Sequence, residues 1–335
     1  MGRKLKIAAS VPFIAAGALF IGNTSLFVPT PSGRAELLAH RGVHQRSSQE
    51  DVGNDTCTAR RILPPTHLLL ENTIASMDAA FETGADIVEF DVQPTADGQF
   101  AVFHDRTLEC RTDEKGVTRE KTLTELKSLD IGYGYTADGG KTFPFRGKGI
   151  GLMPSLDEVL DTFPDRRFLI HVKSQDPEEG RLLAERLSRL DRNRRSLLTV
   201  YGDDAPANAV KNVLPDQRIA SRGNLKTCLL RYVAFGWSGY VPEACRNGLM
   251  FAPSNVAPWL WGWPNRLAAR LEAANAKLVI LGPYSGGEFS TGIDTAEQLA
   301  ELPPSLPAII WTNNILDIAL LAKRPVVLEP PDATP

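Results

Sequence analysis

From Ala35 to Thr312, short apolar runs alternate with stretches whose apolar positions fall at helical spacing. Eight runs have the length and composition of strands: Ala35–Arg41, Asp86–Val92, Arg167–Ser174, Ser196–Gly202, Arg218–Ser221, Leu249–Ser254, Lys277–Gly282 and Ala308–Thr312. Near-continuous apolar runs are what strands covered on both faces require. Between them, helical spacing is clearest at Ile74–Glu82, Glu178–Leu190, Asn265–Ala276 and Thr295–Leu302. Strand and helix in turn predict a parallel sheet. Eight such units predict an α/β fold closed into a (β/α)8 TIM barrel rather than an open doubly wound sheet, and no G-x-G-x-x-G follows the first strand.

Two excursions interrupt the rhythm. Residues 45–70 separate the first strand from its helix; they are polar and contain Pro64-Pro65. Residues 93–153 follow the second strand and open with Asp97-Gly98, a strong hairpin signal between Val92 and Ala101–Phe103. A hairpin leaving the end of the second strand returns the chain to the same barrel mouth, with His104 beside that strand end. The glycine-rich stretch Gly132–Gly151 reads as a mouth loop. The expected organisation is a leader and linker over 1–33, a barrel over 34–325 and a tail over 326–335.

Arg3, Lys4 and Lys6 precede an uncharged apolar run, Ile7–Ile21, and no charge follows until Arg34. A basic flank before an apolar segment predicts export, either as a cleaved signal or as a retained anchor. The chain has four cysteines and none forms a C-x-x-C pair, which argues against a zinc knuckle. In an exported protein an even count predicts two disulfides. Of three possible pairings, Cys57–Cys110 with Cys228–Cys245 is expected, the first tying an inserted loop to the region after His104. A formal net charge of −3 argues against a nucleic-acid footprint. The basic run Arg186–Arg195 is read as a solvated helix C-terminus.

The strand ends carry the candidate chemistry, where barrel enzymes place it. His40-Arg41-Gly42 ends the first strand, Glu89-Phe90-Asp91 the second, His104-Asp105 the hairpin and His171-Val172-Lys173 the third. Glu89 and Asp91 are two apart and share one side of a strand. Two carboxylates inside a barrel need a cation between them, and oxygen ligands suit Mg2+ or Ca2+. His40 and His104 come from different segments, so they could act as base and acid on opposite sides of a phosphorus. Arg41 and Lys173 could hold phosphate oxygens. Singly, each residue has a plainer reading as a hydrogen-bonded or solvated group; their coincidence at adjacent strand ends favours a site.

Ala39-His40-Arg41-Gly42, Glu71-Asn72-Thr73, Ala85-Asp86-Ile87-Val88-Glu89-Phe90-Asp91-Val92, Asp97-Gly98 and Val102-Phe103-His104-Asp105 resemble the glycerophosphodiester phosphodiesterase family, in order and spacing. Thr122–Leu126 and Met153–Leu160 resemble its next landmarks. The likeness is strong over about residues 35–175 and weaker beyond. It implies a barrel of the phosphatidylinositol phospholipase C type and hydrolysis of glycerophosphodiesters to an alcohol and glycerol 3-phosphate. His40 and His104 match the acid/base pair, Glu89 and Asp91 two metal ligands, Arg41 a phosphate contact, and Glu71 an acidic residue near the metal or behind a histidine. One divalent ion, Ca2+ or Mg2+, is implied, with a glycerophosphodiester or lysophospholipid as substrate.

Two departures bear on this. The third strand of the family ends in Glu-x-Lys, and here His171 takes the glutamate's place. Imidazole is a softer ligand and suits Mn2+, Fe2+ or Zn2+ better. That leaves open a changed metal, a weakened one, compensation by Glu71, or a barrel that binds phosphodiester head groups without turnover. The family's Trp-Thr-Val-Asn run is expected on the seventh strand, where this chain has Leu281-Gly282-Pro283-Tyr284; Trp311-Thr312-Asn313-Asn314 ends the eighth. Trp259, Trp261 and Trp263 read first as barrel packing, with an aromatic wall for a head group or lipid interface as the alternative. His44 and His67 are read as structural or surface residues, and Lys115, Lys121, Lys141, Arg146 and Lys148 as solvated loop charge.

Overall fold

The computed structural model describes residues 16–29, 34–48, 52–53, 56–286 and 291–322. Much of the expected leader and the whole 326–335 tail lie outside them. The strands are β1 (Glu36–His40), β2 (Ile87–Pro94), β3 (Phe100–Val102), β4 (Arg167–Val172), β5 (Leu198–Gly202), β6 (Arg218–Ser221), β7 (Leu249–Pro253), β8 (Lys277–Leu281) and β9 (Ile309–Thr312). All eight predicted strands are present. β3 is the returning arm of the predicted hairpin and pairs antiparallel with β2.

The eight parallel strands run in the order β6-β5-β4-β2-β1-β9-β8-β7. Ladders join every neighbour on that path, while no ladder joins β6 to β7. This is a (β/α)8 barrel with one seam unladdered. The Cys228–Cys245 disulfide, with its Cα atoms 4.9 Å apart, ties the helix Arg222–Phe235 to the segment entering β7 beside that seam.

Side chains alternate across each strand. Leu37, Ala39, Val88, Phe90, Val92, Phe168 and Ile170 pack outward with apolar helix residues such as Met77, Leu183 and Leu267. Leu38, Ile87, Leu169, Phe251, Val279, Ile309 and Trp311 form the separate core inside the barrel. Two or four residues further along the same inward face stand His40, Glu89, Asp91 and His171. The barrel interior is therefore apolar below and charged at the strand ends.

The two excursions do not behave as independent loops. Ile62 and Leu70 from the first meet Leu108, Leu126, Tyr135, Phe145 and Met153 from the second in a third buried core. Side chains of this size contribute about 1.5–3 kcal/mol each when fully buried. The Cys57–Cys110 disulfide crosses the same core with Cα atoms 5.5 Å apart, so both expected pairings are found. The stretch expected to be a mouth loop is thus partly a packed cap. Gly134 shows how close: a Cβ there would lie 1.9 Å from the Cys110 carbonyl oxygen.

Candidate active site

Strand register assembles the site. His40 on β1 is opposite Glu89 on β2, and Asp91 on β2 is opposite His171 on β4. Glu89, Asp91 and His171 are buried and offer ligand atoms within 4.8 Å of one another. Oε1 of Glu89 and Oδ1 of Asp91 have no hydrogen-bond partner. Both face Nδ1 of His171, at 3.4 and 3.1 Å. Two orphaned carboxylate oxygens converging with an imidazole nitrogen fit a divalent cation. Burial and the charge of Asp91 together push the Glu89 carboxyl up. Burial would raise Asp91 too, but Arg41 and Lys173 outweigh it and hold that carboxyl well below its usual range.

Asp91 is fixed from its other side. Asn72 Nδ2 donates to Asp91 Oδ2 at 3.0 Å, and the Asp91 backbone N–H donates to Asn72 Oδ1 at 3.1 Å. Arg41 Nε lies 3.2 Å from Asp91 Oδ2, and Lys173 Nζ 3.7 Å from Asp91 Oδ1. Arg41 itself turns in the left-handed region at φ 59°, followed by Gly42 at φ 73°. That turn aims the Arg41 backbone N–H at Glu89 Oε2, 3.1 Å away. At Gly42 any Cβ would run into the backbone of Ser76 at 2.8 Å, so the turn requires glycine.

The two catalytic candidates are held differently. His104 Nδ1 donates to Asp105 Oδ1 at 2.6 Å, and its Nε2 accepts from Lys173 Nζ at 3.1 Å. His40 Nδ1 is 2.6 Å from the side-chain oxygen of Asn313. The orientation of that amide is fixed by Asp294: Asn313 Nδ2 donates to Asp294 Oδ2 at 2.9 Å and its backbone N–H to Oδ1 at 2.6 Å. Asn313 therefore presents an acceptor, the proton of His40 sits on Nδ1, and Nε2 is bare, 3.8 Å from Glu89 Oε2. Burial lowers both histidines, reinforced by Arg41; His104 falls to about 4 and His40 well below its ordinary value.

Glu71 stands outside the ligand cluster. Arg41 Nη1 donates to its Oε1 at 3.0 Å, and Arg111 Nη2 and the Tyr135 hydroxyl donate to its Oε2 at 3.2 and 3.3 Å. With both oxygens held by arginine, Glu71 anchors Arg41 and is not among the three residues of the candidate ligand cluster. The two arginines overcome burial and keep this carboxyl low.

Arg111, which the sequence reading did not single out, is the hub behind the site: it is nearly fully buried and joins Glu71, Asp105 and the Thr58 hydroxyl. It follows Cys110 directly, so the disulfide and this network share one backbone turn. Asp294 and Tyr135 carry no sequence signal either; Asn72, Asp105 and Asn313 are visible only as members of motifs. Trp311-Thr312-Asn313-Asn314 at the end of β9, rather than the segment after β8, supplies the support for His40. The Trp311 ring centroid is 5.0 Å from that of His40. His44 lies edge-on to His40 at 5.8 Å, and His67 meets the Gln45 amide at 3.0 Å. Trp261 and Trp263 pack against the barrel core as expected, whereas Trp259 is exposed.

A family profile described as the Glycerophosphoryl diester phosphodiesterase family matches residues 40–228, more than half of the chain. The glycerophosphodiester phosphodiesterase of Caldanaerobacter subterraneus subsp. tengcongensis is 41% identical over 103 residues, 31% of this chain and 39% of its own. That of Bacillus subtilis is 36% identical over 114 residues, 33% of this chain and 38% of its own. The chain thus spans about two fifths of the length of these curated relatives. Among solved structures, the glycerophosphodiester phosphodiesterase from Agrobacterium tumefaciens superposes with a TM-score of 0.57 at 20% identity, over 85% of this chain and 99% of the other. The phosphodiesterase from Oleispira antarctica, solved in complex with the product sn-glycerol-3-phosphate, gives 0.52 at 17% identity, over 86% and 97%. At those identities the structures bear on the barrel alone. The profile, however, spans the strand ends that carry His40, Glu89, Asp91, His104 and His171, and on that match the chain belongs to the glycerophosphoryl diester phosphodiesterase family.

Proposed function

We propose that this chain hydrolyses glycerophosphodiesters to an alcohol and glycerol 3-phosphate, with His40 and His104 as the proton-transfer pair and one divalent ion at Glu89, Asp91 and His171. The observation that carries it is the pair of imidazole Nε2 atoms at the barrel mouth beside two orphaned buried carboxylate oxygens. Arg41 and Lys173 flank the same carboxylates and are placed to receive phosphate oxygens. A bound ion would polarise the phosphoryl group and favour ionisation of the attacking hydroxyl.

The two histidines suit opposite tasks. His104 backs onto a carboxylate, which steadies a proton on the ring, and Lys173 beside its Nε2 can supply one. His40 backs onto a neutral amide, which fixes its tautomer without adding charge. His104 is thus the acid that takes a proton from Lys173 onto Nε2 and gives it to the departing alcohol. His40 Nε2 takes the proton of the substrate's glycerol hydroxyl as that oxygen bonds to phosphorus and the alcohol leaves. In the second half His104, neutral again, deprotonates the water that opens the cyclic phosphate and passes that proton back to Lys173. His40 returns its proton to the glycerol oxygen, and both groups are restored.

Imidazole in the third ligand position favours Mn2+ or Zn2+ over Ca2+ and Mg2+. The two disulfides, which leave no cysteine free, support work in an oxidising, extracytoplasmic compartment. The test is metal-stripped protein resupplied separately with Ca2+, Mg2+, Mn2+ and Zn2+, assayed on glycerophosphocholine, glycerophosphoethanolamine and lysophosphatidylcholine, with His104→Ala as control. Metal-dependent release of choline or ethanolamine, absent in the variant, is expected. Faster release from the acylated substrate would reassign the chain as a lysophospholipase D-like enzyme. Binding without turnover under every metal would make it a head-group-binding barrel.

A further inference from the structure

Residues 16–23 are helical, and the turn that follows is bonded to the barrel by polar contacts from several directions. Asn23 Nδ2 donates to the Trp237 carbonyl at 2.8 Å. Arg270 donates to Asn23 Oδ1 at 3.1 Å and to the Gly22 carbonyl at 2.8 Å. Arg266 Nε reaches the Thr24 carbonyl at 2.8 Å. Ser25 does most: its hydroxyl donates to the Gly262 carbonyl at 3.0 Å and accepts from the backbone N–H groups of Asn265 and Arg266 at 3.1 and 3.2 Å.

Those two N–H groups open the helix Asn265–Ala273, whose own N-cap residue, Pro264, makes no side-chain bond. A serine 240 positions earlier therefore supplies the cap. Cleavage after Ser25 would leave that helix end uncapped and remove two Arg270 contacts, so Gly22–Ser25 is packed as part of the barrel rather than as a disposable leader.

The same segment leaves large apolar side chains in solvent. Phe20 is 61% exposed and Leu26 77%, with Ile21 and Phe27 also exposed. The neighbouring barrel surface continues the pattern through Val233, Phe235, Trp237 and Trp259, the last 86% exposed. These segments adjoin: Asn23 bonds the Trp237 carbonyl, and Trp261 Nε1 bonds the Val233 carbonyl. Apolar groups rimmed by indoles are the composition of a bilayer interface. The sequence before this face is uncharged from Ile7 to Ile21, preceded by Arg3, Lys4 and Lys6, with no acidic residue before Glu36. A second copy of the chain would bring two basic flanks together on a symmetric contact, whereas anionic lipid head groups neutralise them.

We propose that the helix end at residues 19–27, with the adjoining face of Phe235, Trp237 and Trp259, rests on a lipid bilayer, and that the apolar N-terminal run is retained as its anchor. None of these residues belongs to the strand-end cluster, so membrane residence and phosphodiesterase activity stand or fall separately.

The test expresses the full-length chain in a bacterial host, fractionates the cells and takes the intact mass of the chain. Detergent-extracted protein is then reconstituted into phosphatidylethanolamine/phosphatidylglycerol vesicles carrying brominated acyl chains, and tryptophan emission is followed. A mass that includes Ile7–Ile21, recovery in the membrane fraction, and bromolipid quenching that roughly halves in Trp237→Phe/Trp259→Phe are expected. Both substitutions are at exposed positions, and circular dichroism checks folding. Three results would overturn the proposal: a soluble chain beginning beyond Gly22, a membrane-bound chain whose quenching is the same in the double variant, or a dimer in detergent that buries this face against a second copy.

Discussion

Burying His104 among cations should make the fold acid-sensitive by a calculable amount. The imidazole has an ordinary value of 6.5 when unfolded and falls to about 4 in the folded chain, burial being the largest cause and Arg41 and Lys173 the next. Between those values the unfolded chain binds a proton that the folded chain does not. Stability contributed by neutral His104 is therefore complete above about pH 6.5 and is lost progressively as pH falls toward 4. At 1.36 kcal/mol per pKa unit the whole effect is about 3 kcal/mol, of which roughly 2 to 3 kcal/mol is lost by about pH 4.5. The side chain is only 13% exposed, so solvent screening removes little of it. His104→Gln removes the titrating group while keeping polar atoms toward Asp105 and Lys173. Urea unfolding of both proteins in chelator, at neutral pH and near pH 4.5, gives the difference of differences. His40 and His44 shift in the same direction but remain in both proteins and cancel. The wild type is expected to lose roughly 2 to 3 kcal/mol more than the variant on acidification. Parallel pH profiles would refute the reading, because they would mean that His104 is protonated as readily in the folded state as in the unfolded one.

Asp294→Ala releases the Asn313 amide and with it the tautomer of His40; kcat should fall roughly 10- to 100-fold with KM little changed, and an equal loss in KM would make the residue merely structural. Arg111→Met takes a buried guanidinium from both Asp105 and Glu71, leaving the Asp105 carboxylate only the His104 imidazole, and should cost about 3–5 kcal/mol in urea unfolding, far more than a surface arginine. His171→Glu replaces imidazole with a hard oxygen ligand, so calorimetric titration should show affinity shifting toward Ca2+ and Mg2+ relative to Zn2+; an unchanged order would remove His171 from the coordination sphere.

The division between what the sequence disclosed and what it did not follows interaction range. Strands buried on both faces must be apolar over their length, so all eight were legible as runs. Register then did the assembly: His40, Glu89, Asp91 and His171 are an even number of residues along strands from Leu38, Ile87 and Leu169, so one inward parity carries apolar residues below and the candidate site residues above. Nothing comparable marks Arg111. It lies in an excursion with no periodicity, and its role exists only because the segments 45–70 and 93–153 close on each other around Tyr135, Phe145 and the Cys57–Cys110 bridge. Without that closure Glu71, spaced like a ligand in its motif, reads as one; with it, two guanidinium groups claim both its oxygens. The same holds for Asn313, whose orientation is set by an aspartate 19 residues upstream, and for Ser25, which caps a helix 240 residues away. A charged group at a strand end declares its surroundings through the strand's own alternation, whereas a positioning group is defined by the partner it holds. The assignment of acid to His104 and base to His40 belongs to that second kind: the two histidines differ not in their own sequence settings but in whether a carboxylate or an amide stands behind Nδ1.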